Sequence, residues 1–499
     1  MDRNPISDLE AVAAMPGLDD FADVLAGFVP ARNGSAADPA STLVFLAGRW
    51  AFGSANSCDS ALRSTVLWEL IRASAARAGR VLPKKPPTFN KLHHLRRAAD
   101  DGAAEALAAA LPELTVTLAR QVGLVVPGPS RWDRPDASRV IYGDGSVFSP
   151  LSDVSVDEDG VVRGSRAEHR PRVASRFEGK DGRAAGSGLP INVVGCHGRR
   201  RWQRVILGVD LFRDGNEVGS ALDLMRRVID AAAGGVTHTV YDRLMSGRHM
   251  RELMLAGVVP FVAMPEAAPN RAHLVLPAEL RRDGYRSAGT REKRKGKGAR
   301  RRSGDDVAPK ARLALYYLRT VEHLTGTGRC AHDLWALDGA VVAVDAGHEV
   351  SLDATYLDCR DLRWERHSDG THPVGRFVIP CRHGAVSTDI DFAATRPGKA
   401  RNGRQLALAD WVRPIPEAAT GAARIEGLRS DNESVFSWLK AMLPRNRASS
   451  LDPQHFLLDV IGAVLLCNAI AWDVHAAHHT TCAQHEARLT QRRQLRSAT

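Results

Sequence analysis

The chain has 499 residues, of which 44% are hydrophobic and 25% charged. That profile excludes disorder along the whole length and excludes collagen-like and disulfide-rich classes, and it leaves room for two to four domains. Lysine plus arginine number 68 and aspartate plus glutamate 57, a net charge of +11, which favours polyanionic partners.

The charge is unevenly spread. Residues 281–312 hold 13 basic and 4 acidic side chains, a net of +9, leaving +2 for the rest. The opening MDRNPISDLEAV lacks a basic stretch followed by an apolar core, so it does not read as a secretory signal. Seven scattered cysteines suit a reducing cytoplasm. The longest apolar run, Phe456–Trp472, is interrupted by Asp459 and reads as a buried helix rather than a membrane span.

In chain order, residues 60–78 predict an amphipathic helix, with Leu62, Val66, Leu67, Leu70 and Ile71 as its apolar stripe. Thr88–Leu111 is helical again, with Lys91, Arg96 and Arg97 outward. These cations suit a DNA backbone or an ordinary solvated face equally. Residues 1–130 are thus a helical N-terminal domain. Short apolar runs at Arg139–Gly143, Ile191–Cys196 and Arg204–Val209 predict strands, the last two as a hairpin. A helix at Asn216–Ala233, a strand at Thr237–Tyr241, a helix at Ser246–Ala256 and a strand at Val258–Met264 follow. The order β, β, β, α, β, α, β predicts an α/β domain with a mixed sheet. Residues 313–415 are β-rich, and helices return at 426–443 and 453–477.

Asp144 and Asp242 each end a strand-like run, where α/β sheets place ligand sites. Such carboxylates can share divalent cations, although a strand-end aspartate is often only a turn residue. On the helix at 426–443, Arg429, Glu433 and Lys440 fall within 40° of one another at 100° per residue. That sets a carboxylate between two cations, or simply gives a solvated face with an i,i+4 pair.

Taken together, YGDGSVFSPLSDV around Asp144, VYDRLMSGRHMRELMLAGVVPFV around Asp242 and Arg429-x3-Glu433-x6-Lys440 in RSDNESVFSWLK resemble the DDE transposases of bacterial insertion sequences. The resemblance is to the cut-and-paste group, whose ribonuclease H-like domain carries a β-rich insertion. It covers residues 138–475, and the interval of 191 positions from Asp242 to Glu433 has room for the insertion. One position departs: the family often has tyrosine three residues before the arginine, and here it is Glu426.

The resemblance implies a ribonuclease H-like mixed sheet flanked by helices, at 131–270 and 416–480. The basic linker and β-rich insertion would span 271–415, with a basic tail at 481–499. It implies Asp144, Asp242 and Glu433 as catalytic metal ligands holding two Mg²⁺ ions, with Mn²⁺ as substitute. Arg429 and Lys440 would bind DNA phosphates, and Arg294, Lys295, Lys297, Arg300 and Arg301 would add salt-sensitive affinity. The implied partner is double-stranded DNA, transposon ends and target, held by a homodimer in the cytoplasm at the nucleoid, with no membrane. A nuclease on the same fold, or a transposase-derived DNA-binding protein without activity, is the alternative.

Cys330, His332, Cys359, His367, His372, Cys381 and His383 gather within 54 residues. Zinc takes such residue types, but the C-x2-C pairing is missing, so scattered core cysteines and surface histidines are the preferred reading. Trp438 reads as helix core rather than as a base-stacking platform.

Overall fold

The computed structural model describes residues 4–28, 38–148, 155–156, 162–163, 175–178, 184–200, 202–212, 216–264, 315–325, 328–337, 339–348, 350, 356–399, 405–416, 419, 422–428, 430–443, 448, 450 and 452–497. The fold is mixed α/β and divides into two compact units. The first comprises residues 1–130, 135–237 and 428–499, and the second 131–134 and 238–427. The sequence-based boundaries fell at 130, 270 and 415.

The first unit opens with seven helices: α1 (Pro5–Ala14), α2 (Leu18–Ala26), α3 (Pro39–Ala51), α4 (Ala55–Leu62), α5 (Thr65–Arg77), α6 (Phe89–Asp100) and α7 (Ala103–Gln121). Local chemistry sets their starts. Asn4 accepts hydrogen bonds from the Ile6 and Ser7 amides at 2.9 Å, and Pro5 takes the first helical position. Asp38 and Pro39 do the same for α3.

Three predicted helices are each broken in two; the one expected over 426–443 is divided between Ala422–Gly427 and Ser430–Met442. The helix expected over 60–78 stops at Leu62 and restarts after Ser64. The restart shifts the buried face to Trp68, Ile71 and Ala75, leaving Val66 70% and Leu70 44% exposed. The helix expected over 88–111 is split by Gly102, whose φ of +97° suits only a residue without Cβ.

A meander follows. β1 (Val140–Phe148) pairs antiparallel with β5 (Ala184–His197), and β5 with β6 (Arg204–Leu211). The short strands β2 (Ser155–Val156) and β3 (Val162–Arg163) pair with each other, and β4 (Ser175–Glu178) pairs with β5. Then comes α8 (Glu217–Ala232), whose stripe of Leu222, Met225 and Ile229 is buried as expected. The unit is completed by α11 (Ser430–Met442) and α12 (Pro453–Ser497).

One apolar core joins α1–α7, one face of the meander, α11 and α12. The segment Pro453–Thr480 is long and apolar enough to cross a membrane, yet 72% of its apolar window is buried inside the protein. Its polar side chains are matched to neighbours. Asp459 pairs with Arg49, and Trp50 Nε1 donates to the Asp459 carbonyl at 2.7 Å. Asn468 accepts from the Ile206 amide at 2.9 Å and donates to the Ile206 carbonyl at 2.8 Å. Thr115 donates to the Leu207 carbonyl at 2.7 Å. Backbone groups of β6 left unpaired at an edge are thereby satisfied by side chains.

The second unit begins with a parallel β-α-β element: β7 (His238–Tyr241), α9 (Gly247–Leu255) and β8 (Val259–Val262), with Tyr241 opposite Val262. The β-rich stretch holds a four-stranded antiparallel sheet of β9 (Leu315–Thr325), β10 (Gly328–Leu337), β11 (Ala340–Asp345) and β12 (Tyr356–Leu357). It also holds a three-stranded sheet of β13 (Cys359–His367), β14 (Gly370–Ile379) and β15 (Val386–Asp391). The pair β16 (Thr395–Lys399) and β17 (Gln405–Ala407) and the helix α10 (Ala422–Gly427) close it.

Candidate active site

In the first unit, Asp144 lies on β1 opposite Val193 of β5. Side chains alternate across a strand, so Asp144, Ser146 and Phe148 share one face. Phe148 packs edge-on against Phe436 of α11, 6.2 Å between centroids, and 5.2 Å from Phe456 of α12. That aromatic cluster holds α11 across the strand. Lys440 Nζ then donates to Ser146 Oγ at 3.2 Å and lies 5.2 Å over the Phe148 ring. The result is an open recess of about 500 Å³ lined by Asp144, Gly145, Ser146, Phe436, Ser437, Lys440 and Ala441.

The strand bearing the first predicted acid and the helix bearing the third signature therefore meet, although Asp144 and Lys440 are 296 positions apart. Glu433 is a position of α11, seven residues before Lys440. Seven residues are close to two full turns, so both positions share a face of the helix. The Glu433 side chain lies outside the described residues, as do Arg429, Arg294, Lys295, Lys297, Arg300 and Arg301.

Two features here escaped the sequence reading. Glu217, which opens α8, lies across Gly145 on the strand face opposite Asp144. A Cβ at position 145 would sit 2.5 Å from Glu217 Oε1, so a larger residue there would push the flexible Glu217 side chain aside. Asn192 of β5 holds the turn into α8 by donating to the Glu217 carbonyl at 3.0 Å. An N-terminal helical glutamate looks like ordinary helix-dipole chemistry in sequence.

In the second unit, Asp242 follows the carboxyl end of β7. Its Oδ1 accepts from the Leu244 amide at 2.8 Å, an Asx turn that fixes the side chain at the strand end. The Ser246 hydroxyl and the His249 ring cap α9. Gly247 N donates to Asp410 Oδ1 at 2.7 Å, and a Cβ at Gly247 would fall 2.4 Å from the Asp410 amide nitrogen. Asp410, which sits on a 3₁₀ turn at Leu408–Asp410, was also missed. No periodic pattern connects it with a helix 163 residues earlier.

Several other side chains have structural roles. Trp438 packs against the core. Asp210 is bound to Arg227, while burial pushes its carboxyl above the usual range. His475 and His478 lie against Trp202, at 5.3 and 5.9 Å between ring centroids.

Comparison of the chain with protein-family models finds no match, and comparison with curated proteins finds none either.

Proposed function

We propose that the chain is a DDE transposase that cuts DNA at transposon ends and joins them to target DNA in a metal-dependent reaction. One observation carries this reading. Asp144 on β1 and Lys440 on α11, from motifs far apart in sequence, line one recess. The strand order supports a ribonuclease H-like arrangement: an antiparallel three-strand meander beginning at Asp144, a helix, then a parallel pair whose first strand leads to Asp242.

The donor set fits Mg²⁺ or Mn²⁺, since hard cations take carboxylate oxygens and keep open positions for water and phosphate. Asp144 is half-buried in a recess open to solvent, as a ligand shared with a phosphodiester must be. When bound, the ions would activate water or a 3′-hydroxyl and stabilise the leaving oxygen. Asp144, Asp242 and Glu433 would hold them. Lys440, which now donates to Ser146, would turn to a DNA phosphate beside the scissile bond. Arg429 and the basic segment 281–312 would add phosphate contacts. Two ends must be joined in one event, which calls for a dimer on DNA.

The test uses DNA carrying the flanking genomic ends, with Mg²⁺, and compares wild type with Glu433→Ala. Cleavage and joining that vanish in the variant support the proposal. Cleavage without joining makes the protein a nuclease, and binding without cleavage makes it an inactive DNA-binding protein.

A further inference from the structure

We propose that His323, Cys330, His332 and Cys381 bind a structural zinc ion that ties the two larger sheets of the second unit together. Strand register assembles the set. In the β9–β10 hairpin, His323 is the cross-strand partner of Cys330. His332 is two residues further along β10 and so on the same face. Cys381 arrives from the other sheet, in the turn just after β14.

Three of the four ligands already lie close enough together to share one ion, and His332 adjoins them through Cys330. Zinc bonds of about 2.0–2.3 Å to nitrogen and sulfur require ligand atoms roughly 3.3–3.8 Å apart. Cys330 Sγ is 3.5 Å from His332 Nε2, within that range, and 3.1 Å from Cys381 Sγ, so the two sulfurs would part slightly on binding. Ligand atoms of His323, Cys330 and Cys381 all lie within 4.8 Å of one another. A disulfide would need the sulfurs at about 2.05 Å and would give the histidines no role.

The surroundings are those of a metal site. His332 is 5% exposed, and its Nδ1 lies 3.2 Å from Asp345 Oδ1, leaving Nε2 to face Cys330. A carboxylate on the far nitrogen is the usual way a zinc-bound imidazole is oriented. The His383 amide donates to Cys381 Sγ at 3.4 Å and so helps to orient it. Nδ1 of His323 is buried with no hydrogen-bond partner among the described residues. An unpaired buried nitrogen is costly unless something satisfies it, and its ring belongs to the same cluster as the two sulfurs.

The sequence pattern is H-x6-C-x-H followed by a distant cysteine. It hid the site because two ligands depend on hairpin pairing and the fourth on a different sheet. The site would be structural, since four protein ligands leave no position open for water. The inference is independent of the transposase reading.

The full-length chain is purified under reducing conditions from zinc-supplemented medium, and its metal content is measured by mass spectrometry. One zinc per chain is expected, retained in Cys359→Ser and His383→Ala and lost in Cys330→Ser and Cys381→Ser. Cobalt exchanged into the wild type should show the visible bands of a tetrahedral ion with thiolate ligands. Should the cysteine variants fail to fold, Asp345→Asn serves instead, with zinc affinity lowered about 10–100-fold in a chelator competition. Wild-type protein without stoichiometric zinc, cobalt lacking thiolate bands, or a Cys330–Cys381 disulfide in the intact mass would each overturn the proposal.

Discussion

The Arg49–Asp459 pair offers a quantitative test of how the first unit holds together. Asp459 interrupts the most apolar helix of the chain, and its side chain is 2% exposed against 12% for Arg49. A carboxylate that deep cannot recover hydration if its partner is removed. Arg49→Met should therefore cost about 3–5 kcal/mol, the usual loss when one member of a buried pair is deleted. Asp459→Leu should cost less, because the arginine stem can carry its charge to water. The double variant should lie within about 1 kcal/mol of wild type, since apolar replacement of both members removes the desolvation penalty with the attraction. Two compact units make a single unfolding transition an unsafe measure. Hydrogen exchange of amides in α3 and α12, followed by mass spectrometry, isolates the relevant opening. A loss below about 1 kcal/mol in Arg49→Met, or a double variant worse than both singles, would refute the reasoning.

Further outcomes follow from the same geometry. Asn468→Ala strips the Ile206 amide and carbonyl of their partners, and should cost about 1–3 kcal/mol for each buried group left unpaired, read as faster exchange along β6. Burial pushes the Cys58 thiol up to about 12 and Cys467 up to about 11, and raises Cys196 as well. Cys58 and Cys196, both fully buried, should resist alkylation near neutral pH until the first unit unfolds, and their labelling in the native protein would contradict their placement. Lys440→Ala should leave the fold intact, weaken binding of DNA ends and reduce the slope of log affinity against log salt by about one. An unchanged slope would remove Lys440 from the DNA interface.

Elements with strong local signals were read closely from sequence. The predicted helix at Asn216–Ala233 is found at Glu217–Ala232, and the strand at Thr237–Tyr241 is found at His238–Tyr241. Failures came where a single residue outweighs periodicity. Ser64 restarts a helix and re-phases its buried face, and Gly102 adopts a left-handed turn inside an apparently continuous pattern. Apolar spacing is blind to both, because Val66 and Leu70 fit a helical stripe whichever way the helix is turned.

The candidate site was half visible. Asp144 and Lys440 could be picked out by type and spacing, and they line one recess. Glu217, Asp410 and the pairing of His323 with Cys330 depend on register and on contacts between distant segments. The preferred reading of the cysteines and histidines as scattered residues failed to anticipate the cluster for that reason: C-x-H on one strand has meaning only once its neighbours are known.

The most direct test of the functional account is single-turnover cleavage of a pre-bound DNA end in Mg²⁺, with Asp144→Asn, Asp242→Asn and Glu433→Gln compared singly and in pairs. Carboxylates that act on one pair of ions behave as a unit. Each single variant should then lose about 10³-fold or more in rate, and each double variant should be scarcely slower than the singles. A single variant that keeps near-wild-type cleavage while folding and binding DNA normally would contradict the account.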